Sequence, residues 1–249
     1  MEYFLLLLAG LLCGFFNTVA SSGSAVTLPF LIFMGLPPAV ANGTNRLPVL
    51  VGSEVATISF LRAGLIEPRI ALRILVPTVA GSVCGVMLAE HLPHKHLHLL
   101  VMMAVLVALG LVFSWVKRAL LRTFDLPPRL GRAQMALLFA VGLWLGLIVL
   151  DGATFLLLTL ILSVRMPLAT ANAYKNLVLA VTSAIAVLQF ALNDHIDWKI
   201  GGVLAAGSIF GGLIGARLSL APAAKIWTYR LLVTIVVVEL LHMVWHYLN

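Results

Sequence analysis

Two short polar stretches interrupt a chain that is otherwise 62% hydrophobic and only 10% charged: Asn42, Thr44, Asn45 and Arg46 in "ANGTNR", and Asn172, Tyr174, Lys175 and Asn176 in "ANAYKN". Each sets one cation among neutral amide and hydroxyl groups. That combination suits a small anion, because the cation attracts it and the neutral donors bind its oxygens without adding repulsion. A break precedes each stretch: Ser21, Ser22, Gly23 and Ser24 in the first case, and Asp151, Gly152 and Thr154 in the second. A helix that restarts after such a break turns free N–H groups and partial positive charge toward an anion. The alternative for Arg46 and Lys175 is that they snorkel to an interface from helix ends.

The elements that must position these residues are hydrophobic runs. Runs reaching about 20 residues exceed what a water-soluble core needs and fit serial bilayer crossings. They are rich in Leu, Ala and Val without strict alternation, so helices rather than barrel strands are expected. Breaks at charged, Pro and Gly residues place helices near 3–20, 39–61, 71–90, 97–116, 132–150, 168–192, 199–218 and 226–247. Two shorter runs, 24–35 and 153–164, reach only about 18 Å against a hydrocarbon core of roughly 30 Å. They are expected to be half-helices or thin spans.

The chain also repeats itself. "ANGTNRL" at 41–47 is answered by "ANAYKNL" at 171–177, "GLIEPRI" at 64–70 by "DHIDWKI" at 194–200, and Gly81 and Gly85 by Gly211 and Gly215, always 130 residues later. Ser22-Gly23 fall on Asp151-Gly152 with a slip of one residue. The expected fold is therefore all-α: a polytopic membrane protein of two homologous repeats, each with four full helices and one short or broken segment. Residues 1–116 form the first repeat, 117–131 a basic cytoplasmic linker, and 132–249 the second repeat. Charge bears on orientation, since Lys and Arg collect on the cytoplasmic side. Lys117, Arg118, Arg122, Arg129 and Arg132 mark the linker and its end, and Arg62, Arg69 and Arg73 mark the first inter-helix loop. The matching loop of the second repeat is poor in basic residues, with Asp194 and Asp197 against Lys199, whereas 217–230 carries Arg217, Lys225 and Arg230. The bias flips between repeats, which favours inverted repeats with the short segment as a fifth crossing. Re-entrant hairpins and parallel repeats are the competing arrangement. The net charge of +7 thus reports topology and needs no nucleic-acid partner. The apolar start lacks the basic leader of a signal peptide, so cleavage is not expected.

Matched short segments in two repeats are the sequence pointer to a transporter's binding site. The stretch "ASSGSAVTLPFLIFMGLPPAVANGTNRLPVL" resembles the first signature of the TauE/SafE sulfite exporter family, and "ANAYKNLVLAVTSAIAVLQFALNDHIDW" resembles its second-half counterpart. The similarity extends over nearly the whole chain. It implies a permease of the bacterial inner membrane, multi-pass, moving a small anion such as sulfite or a sulfonate, with proton coupling plausible. One departure is "LDGAT", which puts Asp151 where relatives often have a glycine-rich turn.

Coupling to protons requires a carboxylate. Asp151 is one candidate, since burial raises a carboxyl pKa while a nearby Lys175 lowers it; an ion pair with Lys175 or a helix cap is the structural alternative. Glu54 is the second candidate, Glu239 a weaker one. His91, His94, His96 and His98 in "HLPHKHLH" are expected to be an interfacial loop rather than a metal site, because their spacing does not enforce convergence. Cys13 and Cys84 lie in apolar runs and offer no redox pair. The glycines of "GSIFGGLIGA" at 207–216 read as close helix packing, within the chain or against another subunit of a homo-oligomer. No cofactor is expected, no P-loop is present, and no nucleophile–base set is visible, so the chain is read as a non-enzyme. A passive anion channel is the alternative, and an intramembrane enzyme acting on a lipid phosphate a more distant one.

Overall fold

A computed structural model describes residues 2–89, 128–147, 152–221, 227, 228, 230, 231 and 234. Its described elements are all helical: α1 (Glu2–Ala20), α2 (Ser24–Phe33), α3 (Pro38–Arg62), α4 (Pro68–Ala89), α5 (Arg132–Leu147), α6 (Gly152–Leu158), α7 (Leu168–Leu192) and α8 (Trp198–Leu220). Four of them, α1, α4, α7 and α8, are long and apolar enough to cross a membrane. At 25 residues α3 is as long as α7, but it carries Asn42, Asn45, Arg46 and Glu54 along its length. The expected helices at 97–116 and 226–247, the linker and the histidine run lie wholly or mainly outside the described residues.

Local backbone features recur at the 130-residue spacing. Left-handed residues end the short segments at Gly35 (φ 91°) and Arg165 (φ 66°), and end α3 and α7 at Gly64 (φ 71°) and Asp194 (φ 55°). Each long helix closes with the same backward bond, Leu65 N to Phe60 O at 3.2 Å and His195 N to Phe190 O at 2.9 Å, which satisfies a terminal carbonyl. Pro37 and Pro167 precede α3 and α7 with nearly identical extended torsions (φ −54°, ψ 143° and φ −58°, ψ 149°). The slip of one residue has a physical cause. The second short segment continues beyond α6 as a π-turn over Thr159–Ser163, closed by Val164 N to Thr159 O at 3.0 Å. A π-turn lengthens the hydrogen-bonded loop by one residue, which accommodates the extra residue without displacing α7.

The long helices pack as two groups. α1, α3 and α8 form one; α4 with α5 and α7 forms the other, and α3 packed along α7 joins the two, so the fourth helix of each half packs with the first and third helices of the opposite half. Glycine makes this possible. A Cβ on Gly10 or Gly14 would overlap the carbonyls of Leu204 or Ser208, and one on Gly207 or Gly211 would overlap those of Leu7 or Leu11. Gly81, Gly85, Gly142 and Gly146 do the same between α4 and α5, against Phe139, Leu143, Thr78 and Ser82. Without hydrophobic driving force in lipid, such small-residue seams let backbones approach and gain dispersion contacts. The "GSIFGGLIGA" seam is thus buried within the chain, with Gly212 also against Gly52 of α3.

These contacts set directions. Residue numbers rise together along α1 and α8, and along α4 and α5, so each pair is parallel. The start of α3 meets the turn after α7, and the start of α7 meets the turn after α3, through Thr44 to Asp197 and Tyr174 to Glu67. α3 and α7 therefore run antiparallel.

Candidate functional site

The first break follows Ala20. Ser21 adopts φ 67°, a left-handed conformation that stops α1, and Asn17 Oδ1 accepts from Gly23 N at 3.0 Å to hold the chain as it enters α2. Gly23 is required here, since a Cβ would overlap the Cys13 carbonyl and crowd the Asn17 side chain. Ser22 Oγ lies 3.5 Å from Thr154 Oγ1 in the first turn of α6, so the broken segments of the two halves touch. Ser21, Ser22 and Ser24 are all buried.

Both cations are buried, with Arg46 2% and Lys175 0% exposed, which excludes the snorkelling arrangement at a watery rim. Their bonding differs. Lys175 Nζ donates to Asn17 O at 2.6 Å, Thr18 O at 3.0 Å and Asn172 Oδ1 at 3.0 Å, so its three N–H groups have three oxygens. Two of these are carbonyls of the last turn of α1, which carry the negative end of the helix dipole. Lys175 thus caps a helix from the opposite half. Arg46 makes the corresponding reach to α5, donating Nη1 to Leu145 O at 3.1 Å, but its Nε and Nη2 find no partner among the described residues. The face of Phe190 lies 5.8 Å from its guanidinium carbon.

Other buried polar atoms also lack partners among the described residues: Asn45 Nδ2 next to Arg46 and Ser53 Oγ farther along α3, Ser21 Oγ at the first break, and Asn172 Nδ2 and Asn176 Oδ1 beside Lys175 near the start of α7, at the opposite end of that helix from the Phe190 that Arg46 meets. Asn45 is oriented by Thr27 of α2, whose hydroxyl bonds its Oδ1. The Asn172 and Asn176 amides are oriented by Lys175 and by Asn176 Nδ2 to Asn172 O at 2.8 Å. Such atoms are costly to bury unless a ligand meets them.

The remaining expected residues have other duties. Thr44 Oγ1 accepts from Asp197 N at 2.9 Å, and Tyr174 OH accepts from Glu67 N at 3.0 Å, so both tie helices to turns. Asn42 is only partly buried, and Glu54 is exposed, so the fold does not bring Glu54 into the buried cluster. Asp151 lies outside the described residues. Asn17, Thr18 and Thr27 join the site without having been expected from the sequence. A polar pair at the end of an otherwise apolar run was the signal for the first two, since such residues often serve a helix terminus.

The chain is 26% identical over 232 residues to a probable membrane transporter protein, ORF9, of Sinorhizobium sp, covering 89% of this chain and 84% of the relative. It is 28% identical over 216 residues to a probable membrane transporter protein of Haemophilus influenzae, covering 86% and 84%. It is also 28% identical over 223 residues to the probable membrane transporter protein YfcA of Escherichia coli K12, covering 89% and 82%. No solved structure matches. The family described as sulfite exporter TauE/SafE matches residues 6–243, so broken helices, buried cations and near full-length similarity agree, and the chain belongs to that family.

Proposed function

We propose that the protein is a secondary transporter of a small, singly charged anion, sulfite in its hydrogen form or a sulfonate, held between two inverted repeats in a bacterial inner membrane. The observation that carries this reading is Arg46: a guanidinium 2% exposed, with Nε and Nη2 unpartnered among the described residues. Each unmet buried donor costs about 1–3 kcal/mol, more for a charged group, and an oxyanion accepting from both removes that cost. Lys175 adds little free charge, because the end of α1 already compensates it. One unbalanced cation among the described residues favours a monoanion over a dianion. The antiparallel course of α3 and α7 and the touching breaks support inverted repeats moving about a central site.

Purified protein in proteoliposomes should accumulate sulfite or methanesulfonate when a pH gradient is imposed, and Arg46→Ala should abolish that flux while still inserting. Equal flux in Arg46→Ala rejects the site. Flux that only equilibrates the anion under every gradient makes the protein a channel.

A further inference from the structure

The same two motif segments that carry the cations also close on the turns that end the opposite half's long helix. Thr44 Oγ1 accepts from Asp197 N at 2.9 Å, and Tyr174 OH accepts from Glu67 N at 3.0 Å. Both members of one bond are 130 residues from both members of the other. An aromatic ring from the end of each long helix sits beside each bond, and a small motif residue receives it. Phe190 packs at Gly43, where a Cβ would stand 3.1 Å from Phe190 Cβ, and Phe60 lies in one apolar cluster with Ala173. These too are counterparts at 130 residues. Because α3 and α7 are antiparallel, the two arrangements stand at opposite ends of the helix pair.

We infer that they are the two gates of the transport path: Phe190, with the Thr44–Asp197 catch, closes the face where α3 begins, and Phe60, with the Tyr174–Glu67 catch, closes the other. This rests on the transporter reading, since a gate requires a passenger. Both catches are made here. The gates are unequal. Phe60 is fully buried, in a cluster with Ala56 and Ala216 and against Leu65 and Ile66, whereas Phe190 is only partly buried and leans on Arg46 and, at 6.4 Å between ring centres, on His195. The Phe190 gate is the looser one. It is also the gate in contact with the guanidinium that the anion binds, so ligand and gate compete for one face of charge.

The test uses the full chain with Cys13→Ala and Cys84→Ser, carrying Ser22→Cys as a reporter beside the touching breaks, in proteoliposomes of one orientation. A membrane-impermeant methanethiosulfonate is applied to one face at a time. Thr44→Val and Tyr174→Phe each remove one catch at nearly constant volume, and a lost hydrogen bond of this kind shifts a two-state balance about fivefold. Thr44→Val should raise the labelling ratio toward the α3-start face by that factor, and Tyr174→Phe toward the opposite face. Both variants acting on one face, or neither moving the ratio, overturns the gates. In a second arm, oxidation of Thr44→Cys with Asp197→Cys should stop flux and reduction restore it; flux that survives the cross-link also overturns them. Opposite-sided labelling in a parent protein that moves neither sulfite nor methanesulfonate would instead overturn the assignment of those anions and leave the gates in place for another passenger.

Discussion

Replacing each cation by methionine should separate the strut from the ligand. Lys175→Met leaves Asn17 O, Thr18 O and Asn172 Oδ1 without their donor in a fully buried place. Each buried acceptor left unmet costs about 1–3 kcal/mol. For a chain of this size each kcal/mol moves the unfolding midpoint by about 2–4 °C, so a drop on the order of 10 °C is expected. Arg46→Met removes one bond to Leu145 O, but also two donors with no partner among the described residues, so the two effects nearly cancel and the midpoint moves by only a few degrees. Anion flux behaves the other way round. Arg46→Met loses it, while the folded fraction of Lys175→Met transports with KM changed by about twofold at most. Tryptophan fluorescence on heating in detergent, paired with flux at permissive temperature, measures both quantities. A Lys175→Met protein that melts with the parent yet loses anion affinity would refute the strut and make the lysine a ligand.

The packing sets three further outcomes. Gly211→Ala drives a methyl group into the Leu11 carbonyl and should destabilise by about 1–3 kcal/mol, whereas Gly202→Ala, whose Cβ meets no atom within 4 Å, should melt with the parent. Gly43→Ala forces the Phe190–His195 turn away from α3 and should reduce flux, while Ala173→Gly at the matching position keeps it; flux assays on the pair decide. Asp197→Ala removes the side chain that accepts from Lys199 N and Ile200 N, both at 3.0 Å, and should cost about 1 kcal/mol in thermal unfolding.

Helix positions were legible because they depend on apolar run length and on Pro and Gly punctuation. The helix at 168–192 falls on α7 residue for residue, and 39–61 differs from α3 by one residue at each end. The one-residue slip was visible as well, though its cause, a π-turn, is a hydrogen-bonding pattern that residue types do not specify. What was not legible depends on contacts distant in the chain. Nothing near Lys175 announces that its partners are carbonyls 157 and 158 residues away, so a cation suited to an anion turned out to hold a helix end. Glu54 shows the same limit. A carboxylate in an apolar run suggests chemistry, but which way it faces is settled by how α3 rotates against α1, α7 and α8, and it faces outward.

The exchange of fourth helices between the halves bears on how the chain assembles during synthesis. The glycine seam of α1 waits for α8, so it stays bare until residue 220 has left the ribosome. Loops this long close slowly and late. Neither half completes its own packing, and a chain truncated before α8 leaves the glycine seam of α1 without its partner.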